Sequence, residues 1–179
     1  MALFALIGIA GFTLLDGVLR TQGATETRLS RMAEIQRAML VVSTDLDQIT
    51  GDLAGSADTL SLQKTNLSGE VVNVRYGLDD GTLVRTVGGK TGERRQVLIE
   101  DVSAVRWTFH RRRGDWLEGW PLQPEIALTT EMASPNDGIT AVALDLTLNG
   151  LDAKPGATLR RVASIPLMEP PEPVATARR

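Results

Sequence analysis

With 179 residues, a net charge of −3 and a pI near 5.2, the chain has room for one globular domain plus an appended segment, and it offers no basic surface for nucleic acid. Aromatic residues make up only 4%, which argues against base-stacking platforms, and the absence of cysteine excludes disulfides, zinc thiolates and a thiol nucleophile.

Residues 2–15 carry no charge, and from Glu26 to Thr50 there is no proline. In that second stretch the apolar side chains Met32, Ile35, Met39, Val42, Leu46 and Ile49 follow one another at steps of three and four residues. This spacing predicts one stripe on an α-helix, turned toward a globular domain. The opposite, polar face is expected to carry Arg28, Glu34, Arg37, Thr44, Asp45, Asp47 and Gln48. Asp16, Gly17 and Gly23 weaken the join between the two stretches, since an interior glycine costs about 1 kcal/mol relative to alanine, but they do not interrupt it. The expectation is one long helix. Its apolar half, residues 1–24, suits lipid or other apolar helices, and its amphipathic half belongs to a domain at 25–166. A bilayer core takes about 20 apolar residues, whereas Asp16 interrupts sooner, and no basic residue precedes the run as in a secretory signal. The segment therefore reads as a retained membrane helix that starts partway along, as a start codon placed too far downstream or a trimmed amino terminus would produce.

After Thr50 the period changes from 3.6 to 2. Gly51, Gly55 and Ser56 read as a loop. Strands are predicted at 59–64, 71–78, 82–87, 95–99, 105–110, 116–121, 139–148 and 158–165, with 95–99 buried. Asp79-Asp80-Gly81 is a strong hairpin turn signal. Residues 167–179, rich in proline and ending in two arginines, read as a disordered tail. One helix followed by hairpin-linked strands implies an α+β domain, with antiparallel sheet packed on the helix stripe.

Few residues offer chemistry. His110, the only histidine, lies on the polar face of its strand without a carboxylate spaced to orient it, so it reads as a surface residue. Residues 88–92, Gly-Gly-Lys-Thr-Gly, have Val84 where a phosphate loop needs its first glycine, and no helix follows; a hairpin turn explains them. Asp45 and Asp47 would point about 200° apart on a helix, and Asp79-Asp80 lacks the further oxygen ligands of a calcium loop. No catalytic, cofactor or metal residue is expected. Arg111, Arg112 and Arg113, with Arg94 and Arg95, form a basic patch that reads as a solvated hairpin face or as a docking surface for an acidic partner. Trp107 is expected in the core. Trp116 and Trp120 stay open between core and interface, and with Arg111–Arg113 they make the candidate docking surface.

Several segments carry a family resemblance. Residues 29–39 with 44–48, the hairpin at 72–85, the stretches 98–109 and 116–121, and the late strand at 144–148 are similar, in order, to the corresponding segments of minor pseudopilin J of type II secretion (general secretion pathway protein J). The resemblance runs from about residue 2 to residue 166. Residues 11–16, Gly-Phe-Thr-Leu-Leu-Asp, spell a prepilin-peptidase-like site, but the apolar run precedes them rather than following, so the match reads as coincidence. The resemblance implies a pilin-like fold and a single-pass inner-membrane protein with its head in the periplasm, acting at the tip of a pseudopilus that exports folded proteins. The implied partners are minor pseudopilins I and K, then pseudopilin H and the major pseudopilin, with no nucleic acid, cofactor or small-molecule substrate. Leu3, Phe4, Ile7, Phe12 and Leu15 would form the helix-to-helix assembly face. Two other readings are a minor pilin of a type IV pilus or DNA-uptake machine, and a membrane-tethered periplasmic enzyme or ligand-binding domain. The latter would need a cleft of converging polar groups that the sequence does not reveal.

Overall fold

Helix α1, Ala2–Asp47, opens the chain, and the strands follow it. The computed structural model describes residues 2–90, 92–121, 138–149 and 156–166, and among the first ten side chains it describes Phe4 and Gly8. The expected tail at 167–179 and most of the 150–156 connection lie outside the described residues. The chain divides into two compact units, Met1–Ala38 and Met39–Arg179. The first is helix alone; the second holds the last turns of α1 and, among the described residues, nine strands.

The helix ends sooner than its periodicity predicts. Gln48 N donates to Asp45 O at 3.3 Å and closes the last turn. Strand β1, Ile49–Gly55, begins at once, where glycines led to the expectation of a loop. Ile49 is therefore buried from a strand and not from the helix stripe. The β-branched pair Ile49-Thr50 favours extended backbone, and a partner strand supplies the ladder that makes it so.

Strands β1, β2 (Leu60–Thr65), β3 (Val71–Asp79), β4 (Thr82–Gly89) and β5 (Gly92–Ile99) form a five-stranded antiparallel meander in chain order. Alternation sorts its faces: Val72, Val74 and Tyr76 of β3 are buried, while Val71, Asn73 and Arg75 are exposed. Asp79 pairs with Thr82 across Asp80 and Gly81, whose φ angles of 45° and 70° make the two-residue turn that matches strand twist. The buried strand expected at 95–99 is instead an exposed sheet edge, and only Ile99 at its end is buried. Arg94 and Arg95 place charge on that edge, which discourages further strand pairing.

The second sheet has the order β7-β6-β8-β9, from β6 (Val102–Arg111), β7 (Trp116–Leu117), β8 (Ile139–Leu148) and β9 (Thr158–Ser164). The strand expected at 116–121 is thus reduced to two residues. Backbone bonds stitch the sheets together: Val102 N to Gly81 O at 2.8 Å, Trp107 N to Ala57 O at 2.8 Å, and a reciprocal pair between Gly55 and Trp120. A side chain at Gly55 would meet Phe109 and the Thr59 carbonyl at 2.6 Å, so only glycine fits this crossing. Trp107, Phe109, Leu144 and Leu146 from one sheet, Tyr76, Leu60, Leu62 and Leu83 from the other, and Val42 and Leu46 from the helix end are fully buried. The fold is α+β, a long amino-terminal helix with antiparallel sheet.

Candidate functional site

Two features outside the ordinary apolar core stand out: the outer surface of the first unit and a buried charge cluster in the second. In the first unit, Phe4, Phe12 and Leu15 are exposed at 76%, 73% and 55%, with Leu14, Val18, Leu19 and Leu29 exposed beside them. Leu3 and Ile7, expected on the same face, have side chains outside the described residues. Several polar groups here are satisfied along the helix itself. Asp16 pairs with Arg20 at 3.0 Å, and the hydroxyls of Thr21, Thr25 and Thr27 each donate to the carbonyl four residues back at 2.9 Å. Thr13, Leu14, Gly17, Val18, Thr21 and Gln22 line a shallow groove on this surface. Such a surface can pack against another helix without stranding those three hydroxyls. Among the described residues no helix is long and apolar enough to cross a membrane, because Asp16 and Arg20 cut the apolar run short of the usual length.

The expected helix stripe divides. Val42, Leu46 and Ile49 are buried, Ile35 and Met39 are half-buried, and Met32 is 56% exposed. Asp45, assigned to the polar face by sequence, is buried at 2%. It lies three residues after Val42 and seven after the buried Ala38, so helical geometry puts it on the stripe's own side.

Three strands converge on that carboxylate. Lys64 Nζ reaches Oδ1 at 2.7 Å, Tyr76 OH donates to Oδ2 at 2.5 Å, and Arg85 grips both oxygens, Nε to Oδ2 at 2.6 Å and Nη2 to Oδ1 at 2.9 Å. Tyr76 and Arg85 are a direct cross-strand pair, and Lys64 sits on the same sheet face beside Leu60 and Leu62. Gln48 Oε1 takes a second bond from Lys64 at 2.9 Å, and Gln96 Oε1 one from Arg85 at 3.3 Å. Burial pushes the Asp45 carboxyl up, but hydrogen bonds from Arg85, Lys64 and Tyr76 outweigh it and hold the pKa below the usual carboxylate value. Burial, then the charge of Asp45 and the bond to it, push the Tyr76 phenol far above its ordinary range. Burial alone would lower the Arg85 pKa, yet the bond to Asp45 and its charge raise it. The cluster is a clasp: it fixes the helix end on the sheet. From the other sheet, Arg161 Nε donates to Ser43 Oγ at 3.1 Å. Ser43 and Asp45 point about 200° apart on a helix, so the helix end is held from two sides.

Tyr76 is the only tyrosine, so tyrosinate absorbance reports the clasp alone. A folded pKa raised above the ordinary 10.0 means the unfolded chain loses this proton first. The clasp's tyrosine contribution is therefore intact below pH 10 and declines as pH rises above it. Alkaline titration at 295 nm should show no tyrosinate until circular dichroism reports unfolding. A sigmoid near pH 10 in a folded chain would contradict the burial.

The candidate docking residues separate. Trp107 is core. Trp116 is 37% exposed, its ring 5.0 Å from that of His110 and 5.1 Å from the Arg160 guanidinium. Trp120 is half-buried, and its backbone pairs with Gly55 at 2.7 and 2.9 Å. Arg94 and Arg95 belong to the five-stranded sheet, whereas Arg111 ends β6 in the other and Arg112 and Arg113 follow it in the turn to β7, so the basic residues do not share one sheet surface. Arg95 is also engaged by Asp79. Sequence reasoning missed the clasp, Ser43–Arg161 and Arg160 over Trp116. The clasp left a legible signal, a charged residue at stripe spacing and three cationic or phenolic residues on strands. The other two join residues far apart in the chain.

The family model described as type II secretion system (T2SS), protein J, matches residues 13–159. Among solved structures the chain is similar to a type IV-like pilin, TTHA1219 from Thermus thermophilus. The identity is 17% over 75% of this chain and 96% of that one, with a TM-score of 0.49.

Proposed function

The chain belongs to the type II secretion system protein J family, and on that footing we propose that it works in the tip complex of the pseudopilus, beside minor pseudopilins I and K. The family is a structural component of a membrane-associated periplasmic secretion apparatus, and its members act together with other pseudopilins. The match over residues 13–159 carries the reading, because it spans both the helix and the β-rich unit. In the proposed role the apolar start of α1 keeps the subunit at the inner membrane and then packs on neighbouring helices in the fibre. The head lies in the periplasm. The exposed Phe4, Phe12 and Leu15 support this assignment, as do the threonine hydroxyls satisfied within the helix. Leu3 and Ile7 extend the same face by sequence.

The test is Phe12→Asp with Leu15→Asp in the full chain, assayed by exoprotein secretion and by co-purification with the other pseudopilins. A carboxylate buried against apolar helices costs well over about 1.4 kcal/mol. Both readouts should therefore fall at least ~10-fold, with the head still folded. Unchanged secretion in these variants, or in a strain lacking the chain, would sink the reading.

A further inference from the structure

Building on the pseudopilin reading, we propose that the outward face of the four-stranded sheet, between β7 and β9, docks an acidic segment of a neighbouring pseudopilin's head. Trp116 is its apolar anchor, and Arg112, Arg113 and Arg160 are its charge partners. The register places Trp116 and Arg160 on this face, and Arg112 and Arg113 lie on the turn that links β6 to β7. Trp116 stands opposite His110, Arg106 and Arg160 flank Asp145 in one row, and Val162 lies opposite Ala143 in the next. Trp116 and Val162 remain 37% and 48% exposed. The indole is nonetheless held in place. His110 packs against it at 5.0 Å and shares a 3.0 Å hydrogen bond with Thr140, and the Arg160 guanidinium sits at 5.1 Å. A fixed, partly exposed tryptophan covered on one side by an arginine has the composition and preorganisation of an interface anchor.

Charge names the partner. Among the described residues at this end of the sheet, Arg106, Arg111, Arg112, Arg113 and Arg160 stand against Asp115, Glu118 and Asp145, in a chain whose net charge is −3. Glu118 is taken by Arg106, and Asp145 by Arg160 at 3.7 Å. Arg111 Nε is buried with no partner among the described residues, and Arg112 N is anchored to Gly138 O at 3.1 Å. The surface is locally cationic on an acidic protein, so it favours carboxylates over more of its own kind. Glu118 and Asp145 within the same face would meet an anionic bilayer unfavourably. A mixed segment can place its acids on the arginines alone.

The absence of cysteine permits a direct test. Val162→Cys, and Leu67→Cys on the fully exposed β2–β3 turn of the other sheet, are placed singly in the full chain. Each is co-expressed with the other pseudopilins and treated with a thiol-to-amine crosslinker. Val162→Cys should capture another pseudopilin at least ~5-fold more than Leu67→Cys. Adding Arg112→Glu and Arg113→Glu, both on an exposed turn, should remove most of that yield at about 0.15 M salt. Trp116→Ala should do so even in high salt. Equal capture from both cysteines, or unchanged yield with both arginines reversed, overturns the proposal. Co-sedimentation with phosphatidylglycerol vesicles that depends on the same arginines assigns the face to lipid and overturns it too. If Phe12→Asp with Leu15→Asp stops secretion while the face variants change nothing, the docking surface fails and the pseudopilin reading stands. If loss of the whole chain leaves secretion intact, the pseudopilin reading fails first.

Discussion

Replacing Asp45 by asparagine is expected to destabilise the head by about 3 kcal/mol, near the lower end of the 3–5 kcal/mol typical when one member of a buried charge cluster is removed. The lower end applies because Lys64 and Arg85 keep 14% of their side-chain surface in solvent and can partly rehydrate once the carboxylate is gone. The order of effects is as informative as the size. Lys64→Met leaves the bidentate Arg85 grip and the Tyr76 bond in place and should cost only about 1–2 kcal/mol. Arg85→Met removes two of the four bonds to Asp45 and should approach the asparagine variant. Acid provides a second readout. The folded Asp45 pKa lies below the ordinary 3.8, so as pH falls the unfolded chain takes up this proton first. The stabilisation is complete above that ordinary value and fades as pH falls through the folded one. The difference in melting temperature between wild type and Asp45→Asn should therefore be widest near neutrality and shrink below about pH 4. A constant difference across that range would mean that Asp45 contributes through packing and not through its charge.

Trp107→Ala should cost about 3–5 kcal/mol in urea denaturation, the usual range for deleting a fully buried large aromatic. The site has no slack. Trp107 is 0% exposed, its ring sits 5.6 Å from that of Tyr76, and its backbone N is bonded to Ala57 O at 2.8 Å. It therefore lies where the two sheets meet. Trp107→Phe should behave quite differently. The indole Nε1 is buried with no hydrogen-bond partner among the described residues, so phenylalanine gives up no bond and removes an orphan donor worth about 1–3 kcal/mol. That gain offsets much of the lost volume, and the change should stay within about 1.5 kcal/mol. A phenylalanine variant as unstable as the alanine one would show that Nε1 has a partner after all.

The fold class was legible because it rests on local pattern. An apolar run, a three-four spacing and Asp-Asp-Gly between alternating strands each constrain the backbone within a few residues. Errors fell where a neighbour far along the chain decides. The Ile-Thr-Gly stretch after the helix became β1 because β2 offers it a ladder, with Leu53 opposite Leu62. The 95–99 strand looked buried by composition, yet lies at a sheet edge because no strand follows it in that meander.

Asp45 marks the boundary most clearly. Its identity and its place three residues after Val42 are properties of the sequence, and they already put a carboxylate on the apolar side of the helix. Whether that carboxylate would be solvated or buried depended on Lys64, Tyr76 and Arg85 arriving on one sheet face. That convergence is set by strand register. Sequence by itself determined the helix, most of the strands and the family. Only the tertiary structure decided which charges are paired, which tryptophan is left half-exposed and which sheet carries each arginine, because Coulomb and packing energies depend on distances in space between residues remote along the chain.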